Sequence, residues 1–250
     1  MRSTNHMLLR WVTAVYAVAL VASVSLVPPA FGQAAGCHLL GPQPQRLYSD
    51  LVSNGAKLDT ECAIHIMTTK GVMIDCGGDA FCRIAYATRG ELAFDLVSGK
   101  YAKLGTTPAF LPLTTHFTDA AAGWPLTCWI EQAKADGITG GCTDVAFCTN
   151  SLVTRRQMAK MLLMALEGSN YNPPDCSLLS ERRFTDINCP SAITDPVTHL
   201  LDSFVEELVR RGITLGCTAT QYCPDANVTR QQVALFMRRM FGWTATSCPQ

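Results

Sequence analysis

Three arginines sit in the same local frame: Thr88-Arg89-x-Glu91, Thr154-Arg155-x-Gln157 and Thr229-Arg230-x-Gln232. The Thr-x-x-Glu/Gln part is the pattern of a capping box. There the threonine oxygen accepts the backbone N–H three residues on, and the Glu or Gln side chain accepts the N–H of the threonine. Thr88, Thr154 and Thr229, with Glu91, Gln157 and Gln232, therefore mark three helix starts, each cap contributing on the order of 1 kcal/mol. The arginine is not explained by capping, because a cation at the positive end of a helix macrodipole costs roughly 0.3 to 1 kcal/mol. Arg89, Arg155 and Arg230 each imply a negative partner. One candidate is internal: Asp50, Asp119 or Asp186, each closing an aromatic-hydroxyl-Asp tripeptide upstream, could form a charge-assisted pair with an arginine of its own or a neighbouring repeat. The other is external, since a guanidinium beside the N–H groups of a helix N-terminus makes an anion site.

These residues belong to an internal repeat. Gly137-Ile138-Thr139, Gly141-Cys142, Phe147-Cys148 and Val153-Thr154-Arg155 recur as Gly212-Ile213-Thr214, Gly216-Cys217, Tyr222-Cys223 and Val228-Thr229-Arg230, a constant offset of 75 positions (142 to 217, 155 to 230). A fainter copy lies upstream in Gly71, Cys76, Phe81-Cys82 and Thr88-Arg89. The openers are Tyr48-Ser49-Asp50, Phe117-Thr118-Asp119 and Phe184-Thr185-Asp186, so the repeats run over 45–98, 115–168 and 182–243. Between them, GKYAKLGTTPAFLPLT and GSNYNPPDCSLLSERR read as linkers. Each repeat reads as helix, long loop, helix. The first helix ends at a glycine suited to a C-cap, and the second starts at the Thr-Arg with an apolar face, clearest in Val233, Phe236, Met237, Met240 and Phe241. Such a unit cannot bury its face alone, so the three are expected to share one core.

Residues 1–32 read as a secretory signal peptide: Arg2 and Arg10 precede an uncharged run from Trp11 to Val27, with small residues before Gln33. Removing them leaves a nearly neutral chain, so no global field draws it to nucleic acid or anionic membrane, and no membrane span is expected after cleavage. All 12 cysteines follow this segment, and export favours disulfides over metal ligation. Each long loop carries C-x5-C, pairing Cys76 with Cys82, Cys142 with Cys148 and Cys217 with Cys223. Closing a loop of that length contributes about 2.4 kcal/mol on the chain-entropy account. Cys37, Cys62, Cys128, Cys176, Cys189 and Cys248 remain, and spacing does not choose among their pairings.

The opener, the Gly-Ile-Thr-x-Gly turn, the loop aromatic and the Thr-Arg-x-Gln/Glu start together resemble the S-layer homology (SLH) domain, in its usual set of three. The resemblance is strongest over 117–241 and weaker over 45–98, where Val72-Met73-Ile74 replaces Ile-Thr. It implies a mainly α fold: three helix-loop-helix repeats packed as a pseudo-threefold helical prism, here stapled by disulfides. It also implies an exported, non-catalytic module at the cell surface, in the envelope or outside the cell, binding an anionic, carboxylate-bearing wall polysaccharide in grooves between repeats. The ligand-binding role falls on Arg89, Arg155 and Arg230, with Asp50, Asp119 and Asp186 as their alternative partners. The chain departs from the family where Ala-Glu usually follows Thr-Arg: it has Gly90-Glu91, Arg156-Gln157 and Gln231-Gln232. The alternative function is a protein-interaction or assembly module of the envelope, with an envelope protein as partner. An enzyme is disfavoured, because Gly-x-Ser-x-Gly, HExxH and phosphate-binding glycine loops are missing and His38, His65, His116 and His199 recur in no motif. No cofactor or metal is expected.

Overall fold

A computed structural model describes residues 40, 43, 48–51, 58–110, 115–120, 125–179, 182–190 and 192–244. The segment read as a signal peptide, together with Cys37, His38 and Cys248, lies outside them. The described residues are mainly helical. In chain order they form α1 (Leu58–Thr69), α2 (Arg89–Leu104), α3 (Thr127–Ala135), α4 (Arg155–Glu167), a 3-10 turn (Cys176–Leu178), α5 (Pro196–Arg210) and α6 (Arg230–Phe241).

Helices α2, α4 and α6 begin at the Thr-Arg positions. Thr88 and Thr154 close full capping boxes: the Thr88 N–H donates to Glu91 Oε2 at 2.8 Å and the Thr154 N–H to Gln157 Oε1 at 3.2 Å. The Glu91 and Gln157 N–H groups return to the threonine hydroxyls at 3.3 and 3.2 Å. At Thr229 the Gln232 carbonyl takes the backbone N–H at 3.0 Å, while the hydroxyl faces the helix end without closing to a full hydrogen bond. Asp195 caps α5 through Val197 and Thr198, with Pro196 in the first turn, where a missing N–H is harmless.

The packing explains why no repeat is self-sufficient. The second helix of each repeat lies against the first helix of the next: α2 on α3, α4 on α5, and α6 back on α1. The three second helices also touch one another, while α1–α2, α3–α4 and α5–α6 do not pack as pairs. Ile64, Met67, Leu92, Leu96, Trp129, Ile130, Leu162, Val205, Leu208, Val233 and Met237 fill one continuous core, each at most 1% exposed. Each junction also has its own polar clasp: Lys100 to Asp136 at 3.0 Å between α2 and α3, Arg211 to Glu167 between α5 and α4, and Arg239 to Asp59 at 2.8 Å between α6 and α1.

One linker expectation is corrected. Gly99 to Leu104, read as the start of a linker, continue α2 to an αL cap at Gly105. The glycine that suggested a break is a close-approach site. A Cβ on Gly99 would lie 2.6 Å from the Phe241 ring and 2.8 Å from Met237 Cε, so its absence lets α6 approach α2.

Disulfides join Cys76 to Cys82, Cys142 to Cys148 and Cys217 to Cys223, one in each long loop. A fourth joins Cys176 to Cys189. Cys62 and Cys128 are also disulfide-bonded.

Candidate functional site

The three loops share one internal lock. Each opener aspartate accepts two backbone N–H groups at the end of its own loop. Asp50 takes those of Phe81 and Arg83 at 2.8 and 3.0 Å. Asp119 takes those of Phe147 and Cys148 at 2.7 and 2.6 Å. Asp186 takes those of Tyr222 and Cys223, both at 2.8 Å. The opener aromatic lies on the loop aromatic in every repeat, with centroids 5.8, 5.3 and 5.7 Å apart for Tyr48–Phe81, Phe117–Phe147 and Phe184–Tyr222. Cys82, Cys148 and Cys223 adopt positive φ of 55°, 59° and 58°, which turns the chain out of the disulfide and toward the next helix. Burial raises the Asp50 and Asp119 carboxyls, but their backbone N–H bonds outweigh it and hold both below the usual range.

The arginines do not meet these carboxylates in ion pairs among the described residues. Each instead crosses to the loop of the next repeat. Arg89 Nε donates to the Phe147 carbonyl at 2.8 Å, Arg155 Nε to the Tyr222 carbonyl at 2.7 Å, and Arg230 Nε to the Phe81 carbonyl at 3.1 Å. The same rings take the guanidinium on their faces, 4.9, 4.6 and 4.7 Å from the centroids. All three arginines are buried, at 7%, 3% and 5% exposure. The direct Asp–Arg pair, one of the two candidates read from sequence, is therefore replaced by a carbonyl and an aromatic face. The physical reason is that the carboxylates are already held by converging N–H groups. Their charge still acts at longer range: burial lowers the Arg89 and Arg155 pKa values, and Asp119 opposes this at Arg89, as do Tyr222 and then Asp186 at Arg155.

The helix N-termini are equally committed. The N–H groups of Arg89 and Gly90 donate to Ser151 and Thr149, those of Arg155 and Arg156 to Ala226 and Pro224, and those of Arg230 and Gln231 to Ala85 and Arg83. A further set runs Ala87 to Val228, Val228 to Val153 and Val153 to Ala87, at 2.9, 2.9 and 3.2 Å, and closes on itself. The first two N–H groups of each of these helices, which an anion site there would need, are thus in use.

The three junctions differ at the guanidinium ends. Arg230 pairs with Glu91 at 3.3 Å and also donates to the Ile74 carbonyl. Arg89 Nη2 reaches the Thr139 hydroxyl at 3.4 Å. Arg155 Nη2 is buried without a hydrogen-bond partner, and its guanidinium lies between the Tyr222 and Phe236 rings. Glu91 is the only acid at its repeat position, because Gln157 and Gln232 stand at the other two.

Where repeat 2 meets repeat 3, the residue after the Thr-Arg lines a cleft of about 130 Å³ with the repeat-3 opener and the head of α5. Arg156, Asp186, Asn188, Thr198, His199 and Asp202 line it, with Ile193 at its lip. Arg156 Nε stands 3.0 Å from Asp202 Oδ1, and Nη1 stands 3.6 Å from Asp225. Burial pushes the Asp202 carboxyl up to about 6, against the lowering effect of Arg156. Sequence reading missed this cleft. Its one legible trace is Arg156, where the other two repeats carry Gly90 and Gln231; His199 and Asp202 carry no motif.

Asp175, Cys176 and His199 bring ligand-type atoms within 4.8 Å of one another, the one such group among the described residues. They do not form a metal centre: the Cys176 sulfur is bonded to Cys189, and His199 Nε2 is hydrogen-bonded to Asp175 at 2.8 Å. Among the described residues no helix is long and apolar enough to cross a membrane. No protein-family model and no curated protein matches the chain.

Proposed function

We propose that the chain is an exported, non-catalytic cell-envelope binding module of the SLH type. Its three repeats close into a pseudo-threefold helical prism, and the junction between repeats 2 and 3 holds a cell-wall polysaccharide. The observation that carries this reading is the cleft at that junction, built from side chains of two repeats and lined by the hydroxyl, amide, carboxylate and guanidinium groups that suit a polyhydroxylated ligand. The self-closing set of loop hydrogen bonds supports the prism. The expectation of an anionic ligand rested on Arg89, Arg155 and Arg230. Those guanidinium groups are buried inside the interlock, so recognition moves to the residues around Arg156.

A pull-down with purified wall polysaccharide tests the proposal. Ile193 is half exposed at the lip, so Ile193→Trp narrows the cleft without touching the core. Retention of the oxidised protein and its loss in Ile193→Trp is the expected result. Equal retention of both proteins, or of neither, counts against it.

The assembly alternative has one observation in its favour. Ile84, Tyr86 and Leu152 are 71%, 53% and 42% exposed, and Tyr86 and Leu152 flank the closed set of loop hydrogen bonds. Light scattering after size exclusion decides it: a concentration-dependent oligomer that Tyr86→Ser disperses favours assembly, and a strict monomer disfavours it.

A further inference from the structure

The acceptors around the repeat 2–3 cleft are not equally committed. Asp186 is held by two backbone N–H groups of its loop. Asp195 accepts the N–H groups of Val197 and Thr198 and the Thr198 hydroxyl. Asp202 differs: it is fully buried, its Oδ1 faces Arg156 Nε at 3.0 Å, and its Oδ2 has no hydrogen-bond partner. His199 lies one turn earlier, at the i, i+3 spacing that puts two side chains on one helix face. His199 Nε2 lies 2.8 Å from the Asp175 carboxylate, and a neutral ring that donates there presents Nδ1 as an acceptor. That nitrogen is also buried without a partner.

A cleft lined by Asp202 Oδ2 and His199 Nδ1, both buried without a hydrogen-bond partner, calls for donors from its occupant. Its volume is roughly ten times what a single water requires, so there is room for a larger group. The wall carries three carboxylates, Asp186, Asp195 and Asp202, against the one guanidinium of Arg156. That balance repels a carboxylate ligand and attracts a cation.

We propose that this cleft binds a primary ammonium group, the free amine of an amino sugar. The inference rests on the saccharide reading above and specifies which sugar the junction selects. An ammonium is compact and carries three donors and a full charge, enough for Asp202, for His199 Nδ1 and for one hydroxyl of the wall. An N-acetylated amine keeps one N–H, has no charge and adds bulk. A uronate brings the wrong sign.

The test titrates glucosamine, N-acetylglucosamine and glucuronate into the oxidised full chain at neutral pH, followed by calorimetry or NMR shifts. Asp202→Asn, which keeps the shape and removes the charge, is titrated in parallel, with its fold checked by circular dichroism. Ile193→Trp serves as a second variant that leaves Asp202 in place. We expect glucosamine to bind at least about tenfold more tightly than either other sugar, with both variants losing that preference. No binding of glucosamine, equal binding of the three sugars, or a preference that survives Asp202→Asn overturns the inference. A pull-down with native and chemically N-acetylated wall polysaccharide separates the two levels. Equal retention of both polymers overturns the ammonium site and leaves the saccharide reading standing, whereas retention of neither removes the saccharide reading and leaves the glucosamine titration to decide the cleft.

Discussion

Replacing Arg155 by alanine separates a structural arginine from a ligand-binding one. In the protein without ligand, Arg155 holds the Tyr222 carbonyl at 2.7 Å and lies against the Tyr222 and Phe236 rings at 4.6 and 5.3 Å, with 3% of the residue exposed. A hydrogen bond from a charged donor contributes about 1.5 to 3 kcal/mol. A desolvated cation–π contact adds up to about 2 kcal/mol. Removing a cation from the first turn of α4 returns roughly 0.3 to 1 kcal/mol. The net loss for Arg155→Ala is therefore about 1 to 5 kcal/mol, before any loss of side-chain packing. For a domain of this size that lowers the midpoint of thermal unfolding by roughly 2 to 20 °C. Arg155→Lys keeps the charge but loses the planar Nε–H, and is expected to suffer most of the same loss. Urea unfolding of the oxidised protein, followed by tryptophan fluorescence, measures both variants. An anion-binding arginine waiting for its ligand predicts a neutral or stabilising change in the free protein. A loss below about 1 kcal/mol for Arg155→Ala would refute the interlock reasoning.

Three further outcomes follow from the same contacts. By repeat correspondence, residue 232 stands toward Arg155 as Glu91 stands toward Arg230, so Gln232→Glu should supply the missing acid and raise stability by on the order of 1 kcal/mol in urea unfolding at neutral pH. Burial alone would raise Glu207, but its bonds from Arg210, Arg211 and Tyr171 hold it down at about 2. Its contribution is therefore present above the ordinary value of 4.5 and disappears as pH falls toward 2; acid titration of unfolding should be shallower in Glu207→Gln, and an unchanged profile counts against the clasp. Gly216 has φ of +92°, and a Cβ there would lie 2.5 Å from the Gln221 carbonyl oxygen and from the Phe184 ring. Gly216→Ala should destabilise by at least about 2 kcal/mol, whereas Gly140→Ala, with open space at its Cβ, should be silent in the same assay.

The parts of the fold legible from sequence share a physical origin. Capping boxes and C-x5-C loops are local, with partners three and six positions apart. Spacing alone therefore reveals them. The linker reading failed at Gly99 because a glycine that ends a helix and one that admits a neighbouring helix look alike in a sequence. The difference is the Phe241 ring, which arrives from the far end of the chain. The repeat pattern announced three helix-loop-helix units but not their exchange of partners. Which helix packs on which is decided by α2 meeting α3, α4 meeting α5 and α6 meeting α1, a cycle that no single repeat encodes.

The arginines show the same division. Their types and positions at three helix starts require something electronegative nearby, and that requirement is readable from the chain alone. What answers it lies 58, 67 and 149 positions away, and it is a main-chain carbonyl. Every residue carries one, so no side-chain pattern marks the partner. The cleft beside Arg156 is hidden for a related reason. His199 Nδ1 and Asp202 Oδ2 are left buried without partners only when α5 turns its polar face toward repeat 2, a condition set by packing between repeats and not by the order of residues within either.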